Sequence, residues 1–262
     1  MEGIAMKELT ASKKRKLLSS IKEYRKKFLI GKYSELDESG TRLMINSFLT
    51  DVLGFTSIEE VKTEYMIRGT YADYVIQVSG KQYFIVEVKA MGLELSQKHL
   101  RQAVNYAANE GIEWTLLTNG KRFDFYKIIF DKPIDYRKVF SVDLSDVKQF
   151  RVAVENIQYI TKQLIFRKGL EHLWDKCAAL EPSNISRLLY SKYIINFLRR
   201  QLRKTHKSKF TDDEIKGVVT RVIEEKVESA KPQRKKRRRR TKNIKSIPAS
   251  RQSASTSIEI IK

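Results

Sequence analysis

Apolar residues recur at helical spacing early in the chain. Leu17, Leu18, Ile21, Tyr24, Phe28 and Leu29 stand among Lys and Arg and predict a basic helix over 7–30. A polar break from Lys32 to Asp37 leads to a second helix, about Glu38 to Leu53. Its stripe is Met44, Ile45, Phe48, Leu49 and Val52, and Gly54 is placed as its C-cap. From Val61 the period shortens. Residues 62–67, 70–78 and 82–89, rich in Tyr, Val, Ile and Phe, read as strands, the last two joined by a Ser79-Gly80-Lys81 loop. Ser96 caps a helix to about Ala108. A strand from Trp114 to Thr118, an Asn119-Gly120 hairpin turn and a strand from Arg122 to Ile129 follow. After Asp131 the pattern turns helical, over 147–180 and 184–203. Thr211 with Glu214 then opens a helix to 228 that places Ile215, Val218, Val219, Val222 and Ile223 on one face.

The order helix, three strands, helix, two strands predicts an α/β fold: a mixed sheet core flanked by helices. The chain divides into a basic N-terminal helix (1–32), the core (33–131), a helical extension (132–229) and a basic tail (230–262). In the tail the run Arg234 to Arg240 repels itself and is expected to be disordered.

Charge adds a partner to this picture. The chain carries a net charge of +21. Residues 231–262 hold twelve Lys and Arg against Glu259 alone, yet the rest is also basic. A polyanion is the natural partner, because each neutralised phosphate releases counterions. Arg237, Arg238, Arg239 and Arg240 suit sequence-tolerant phosphate contact. No stretch reaches the roughly 20 apolar residues needed to cross a bilayer, and residues 1–16 have no apolar signal region. A cytoplasmic protein without a membrane role is expected. Cys177 is the single cysteine and the three histidines are scattered, so ligand count argues against structural zinc. A bound metal would be held by carboxylates, which points to Mg2+ or Mn2+.

Those carboxylates stand in the second and third predicted strands. With a three-residue loop, Val78 pairs with Gln82 and Asp73 falls opposite Glu87, their Cβ atoms about 4.5–5.5 Å apart. Lys89 shares the face by alternation. Two carboxylates so close repel unless a cation lies between them or one is protonated. A lysine beside them can orient or deprotonate an attacking water, or stabilise charge on a phosphate.

These stretches carry a resemblance. Asp37-Glu38-Ser39-Gly40-Thr41-Arg42 leading to Leu53-Gly54-Phe55, then Ala72-Asp73-Tyr74-Val75, Val86-Glu87-Val88-Lys89-Ala90 and Leu117-Thr118-Asn119-Gly120 resemble the N-terminal nuclease domain of type I restriction-enzyme R subunits. That domain lies within the restriction-endonuclease-like, PD-(D/E)xK superfamily. Ala72 stands where the superfamily's name has proline. The resemblance implies a restriction-endonuclease-like core in which Asp73 and Glu87 bind the metal and Lys89 acts on the water. It suggests Glu38 as a further acidic ligand. Gln102 and Tyr106, one helical turn apart and off the Leu100, Ala103, Val104, Ala107 stripe, resemble the Gln-x-x-x-Tyr pair of RecB-type nucleases, which helps position nucleic acid. The expected activity is metal-dependent DNA hydrolysis, with restriction-system or other protein subunits as possible partners. No Gly-x-x-x-x-Gly-Lys-Ser/Thr loop occurs in the sequence, so the resemblance extends to the cutting domain and not to the ATPase motor. The alternative expectation is a DNA- or RNA-binding protein that keeps the fold without cutting.

Overall fold

The structure is a computed structural model that describes residues 8–31, 33 and 35–224. They form two compact units divided in sequence between Phe197 and Leu198.

The first unit is built on one six-stranded sheet: β1 (Val61–Ile67), β2 (Thr70–Val78), β3 (Lys81–Val88), β4 (Trp114–Thr118), β5 (Arg122–Ile129) and β6 (Asp135–Asp143). The strands lie in sequence order, with β3 and β4 parallel and every other pair antiparallel. The parallel pair requires a crossover, and α3 (Gln97–Glu110) supplies it. Ser96 accepts a hydrogen bond from the His99 amide to start α3, and Gly111, at φ 67°, closes it.

α3 covers one face of the sheet. Leu100, Val104, Tyr106 and Ala107 pack there with Val75, Ile85, Leu117, Tyr126 and Ile128. The other face carries the larger core. Tyr74, Phe84, Val86, Trp114, Leu116, Phe123, Phe125 and Phe140 meet α1 (Ala11–Phe28), α2 (Glu38–Ser47) and α4 (Phe150–Ile157). Full burial of side chains this large contributes about 1.5–3 kcal/mol each, and the Phe48–Phe123 and Trp114–Phe125 rings stack at 4.3 and 5.2 Å. α1 is therefore part of the core. Leu17, Ile21 and Tyr24 are buried, and Tyr24 Oη donates 2.9 Å to the Gly120 carbonyl in the β4–β5 turn.

Four expectations change. The predicted second helix is α-helical only to Ser47 and continues as a π-helical turn over Phe48–Val52. The region after Asp131 is not helical at once, because β6 extends the sheet to Asp143. Its alternation is hidden by a bulge: Phe125 pairs with Phe140 and Tyr126 with Lys138, leaving Val139 unmatched. The predicted helix over 147–180 is divided into a 3-10 turn (Val147–Gln149), α4, a second 3-10 turn (Gln158–Ile160), α5 (Lys162–Ile165) and α6 (Gly169–Ala179). Thr161 is extended and Lys168 takes a left-handed φ of 60°. A Cβ on Gly169 would lie 2.6 Å from the Tyr159 carbonyl, so this corner requires glycine. The predicted helix over 184–203 is divided too: Pro182 opens α7 (Pro182–Leu189), a turn at Tyr190 and Ser191 ends it, and α8 (Lys192–His206) follows.

From Leu198, the second unit includes α9 (Asp212–Glu224). Thr211 and Glu214 form the expected reciprocal cap: the Thr211 amide donates 2.7 Å to Glu214 Oε2, and the Glu214 amide donates 3.2 Å to Thr211 Oγ1. Among the described residues no helix is long and apolar enough to cross a membrane. The basic tail, with Arg237, Arg238, Arg239 and Arg240, lies outside the described residues.

Candidate active site

The β2–β3 hairpin turns on two residues, Ser79 at φ 50° and Gly80 at φ 78°, since Val78 pairs with Lys81. Positive φ at both central positions is the type I′ geometry that matches strand twist. This corrects the three-residue loop read from the sequence. A bulge at Tyr83 then restores the lost residue: Gln77 pairs with Gln82 but Ile76 with Phe84. Beyond it the register runs Val75 to Ile85 and Tyr74 to Val86, which carries Asp73 opposite Glu87 as expected.

Asp73, Glu87 and Lys89 are all buried. Asp73 Oδ2 accepts 2.8 Å from the Val88 amide, and its Oδ1 lies 3.3 Å from an Arg42 terminal nitrogen. Lys89 Nζ donates 2.6 Å to Glu87 Oε1 and lies 3.5 Å from Glu38 Oε2. Glu87 Oε2 is buried with no hydrogen-bond partner. A buried carboxylate oxygen left unpaired is costly, and it defines the point in this site where a positive group is lacking.

The titration of these groups follows from their surroundings. Burial pushes Glu87 up to about 7; the Lys89 hydrogen bond opposes this and the nearby Asp73 charge adds to it. Burial also raises Asp73, against the Val88 amide, with Glu38 adding to the rise and Arg42 and Lys89 opposing it. Burial disfavours the Lys89 ammonium, but the hydrogen bond to Glu87 and the fields of Glu87, Glu38 and Asp73 outweigh it, and the pKa ends raised. Burial and the cations of Lys89 and Lys98 hold His99 below its ordinary value.

The scaffold fixes these groups from several elements. The Lys89 amide donates 2.8 Å to the Thr118 carbonyl, and Asn119 Nδ2 donates 2.8 Å to the Leu93 carbonyl, which ties the loop after β3 to the end of β4. Asp37 caps α2 by accepting 2.7 Å from the Gly40 amide. Tyr74 Oη donates 2.8 Å to the Arg42 carbonyl, so the strand that bears Asp73 also holds the helix that bears Glu38 and Arg42.

Arg42 was not singled out from the sequence. It bridges Asp73 and Glu64, each at 3.3 Å. Its position one helical turn beyond Glu38 was the available signal. Glu38 departs from expectation in its partner. Its side chain is 44% exposed and reaches the site through Lys89. Among the described residues no three Asp, Glu, His or Cys side chains gather into a metal-holding group, so Glu38 does not close a trio with Asp73 and Glu87. Gln102 and Tyr106 do meet, Gln102 Nε2 donating 3.0 Å to Tyr106 Oη. Tyr106, however, is only 8% exposed and its ring packs under α3. Wheel position understated its burial, because long helical side chains lean back over the preceding turn.

The fold and site thus define an α/β protein with an acidic pair and a lysine gathered at the end of two central strands. Residues 37–138 match the family of the type I restriction enzyme R protein N terminus, a nuclease-related family, and this segment contains every described residue of the site. Neither the curated proteins nor the solved structures gave a match.

Proposed function

We propose that this chain hydrolyses DNA phosphodiester bonds in a divalent-metal-dependent reaction at Asp73, Glu87 and Lys89. The observation that carries the reading is the unpartnered, buried Oε2 of Glu87 beside the Asp73 carboxylate, within the segment that matches the R-subunit family. All-oxygen donors suit Mg2+ or Mn2+, and Mg2+ is commonly held by one or two carboxylates with water and substrate oxygens completing its shell. Asp73 and Glu87 would hold the ion. Bound there, it supplies Lewis-acid stabilisation of charge on the scissile phosphate.

The chain's own residues do the rest. Arg42 and the Val88 amide fix the Asp73 carboxylate. Lys89, hydrogen-bonded to Glu87 Oε1, is placed to orient the attacking water or to donate to developing negative charge. Water attacks phosphorus as the bond to the leaving ester oxygen breaks; the proton of the attacking water passes to bulk solvent, and the leaving oxygen takes one up from solvent. The test is nicking of supercoiled plasmid with Mg2+ or Mn2+, beside EDTA and an Asp73→Asn variant. Metal-dependent nicking that disappears in the variant supports the reading; nicking that survives in the variant refutes it.

A second reading, a DNA- or RNA-binding protein that retains the fold without cutting, draws on the cations already set against both carboxylates, Arg42 on Asp73 and Lys89 on Glu87. Salt-sensitive binding with no nicking under any metal would favour it, and competition between DNA and RNA at matched salt would name the ligand.

A further inference from the structure

Asp124 is a buried carboxylate for which the proposed chemistry has no use. Its Oδ1 accepts 2.9 Å from Arg122 Nε and 2.6 Å from Ser141 Oγ, and its Oδ2 accepts 2.8 Å from Lys138 Nζ and 3.3 Å from Tyr126 Oη. With four donors in place, it is a clamp for cations of the protein itself. Both cations remain open to solvent, the Arg122 side chain 46% and that of Lys138 40% exposed. Arg122 uses only Nε on the clamp, and its two terminal NH2 groups make no hydrogen bond to the described residues. Asp143 on β6, the cross-strand partner of Arg122, spends its Oδ1 on the Ser145 amide and hydroxyl, while its charge also acts on Arg122.

The sheet aligns this cluster with the acidic pair. Glu87 pairs with Leu117, Leu117 with Asp124 and Asp124 with Ser141, so Asp73, Glu87 and Asp124 occupy one row on one face. At a strand spacing of roughly 4.8 Å, Asp124 stands about 10 Å across from Glu87. That is roughly three nucleotide steps at a rise of about 3.4 Å along a DNA strand.

We propose that Arg122 and Lys138, held by Asp124, form a phosphate-binding subsite for the DNA backbone beside the catalytic pair. The inference rests on the nuclease reading. A guanidinium oriented through Nε presents its terminal nitrogens as a fork that suits phosphate oxygens. Because the clamp has already ordered both side chains, less conformational freedom is lost on binding.

The experiment is anisotropy of a short fluorescent duplex with the full chain in EDTA, titrated with KCl, so that binding is read without cleavage. Wild-type protein binds with a salt slope. The double variant Arg122→Gln, Lys138→Gln lowers that slope by about 1.8, at about 0.9 per lost phosphate contact. The charge-matched pair Lys62→Gln, near the start of β1, and Lys81→Gln, beside the β2–β3 turn, leaves it unchanged. Should the double variant fail to fold, Arg122→Gln alone carries the test with a drop of about 0.9. An unchanged slope in either Arg122 variant, or an equal drop in the control pair, overturns the subsite and leaves the nuclease reading standing. Wild-type protein with no salt-dependent binding overturns both.

Discussion

Replacing Glu87 with glutamine removes a charge from the buried position where it is least compensated. The carboxyl is lifted from its ordinary 4.5 to about 7 by burial, against the Lys89 hydrogen bond and with the Asp73 charge behind it. At about 1.36 kcal/mol per pH unit, its ionised form costs the folded state about 3 kcal/mol, attractions included. The sign follows from proton binding. Between pH 4.5 and 7 the folded protein binds more protons at this site than the unfolded chain does, so stability falls as pH rises through that window. Glutamine mimics the protonated side chain. Glu87→Gln is therefore expected to match wild-type stability near pH 4.5 and to exceed it by about 3 kcal/mol above pH 7. The assay is urea unfolding of both proteins in EDTA at pH 5, 6, 7 and 8. Added Mg2+ should raise the wild-type midpoint at pH 8 by mass action, and that gain should vanish in the variant. A Glu87→Gln protein no more stable than wild type at pH 8 would refute the reasoning, since it would make Glu87 and Lys89 a stabilising ion pair.

Other substitutions test the frame around the site. Arg42→Gln should lower nicking by at least tenfold while the fold survives, because Asp73 Oδ1 loses its cation at 3.3 Å; unchanged nicking would dismiss Arg42 as a positioning residue. Tyr106→Phe should cost about 1 kcal/mol in urea unfolding, as it loses only the Gln102 hydrogen bond. Tyr106→Ala should cost about 3–5 kcal/mol through the cavity it leaves, and near-equal losses would contradict the burial of the ring. Gly120→Ala should destabilise by about 1–3 kcal/mol, because its Cβ would meet Met44 Cε at 2.8 Å while φ is +81°; a thermal midpoint equal to wild type would argue against that close approach.

The acidic pair was legible in the sequence because charged residues at matched positions in two apolar strands are costly to bury unless a cation answers them. Its register was reached through two offsetting departures, a turn one residue shorter than expected and a bulge at Tyr83. Tyrosine and glycine patterns alone do not separate those cases. β6 was hidden because Val139 interrupts its alternation and Arg137 and Lys138 dilute its apolar content. The Asp124 clamp was visible only as an acid between Phe123 and Phe125. Its donors come from two strands, and Lys138 and Ser141 lie in the strand that was not anticipated.

The way α1 meets the β4–β5 turn bears on which piece of this protein can stand alone. The stretch that resembles R subunits begins at residue 37 and ends at 138, yet the larger core takes Leu17, Ile21 and Tyr24 from before it and Phe140, Phe150, Ile157 and Leu173 from after it. Excised at those boundaries, the sheet would expose Phe48, Phe123, Phe125 and Trp114 to water on one side, and the Gly120 carbonyl would lose the Tyr24 hydroxyl. The matched segment is thus smaller than the core it belongs to. The flanking helices form one wall of the enclosure, so a shortened protein lacking them would be a sticky, half-open sheet, whatever catalytic groups it kept.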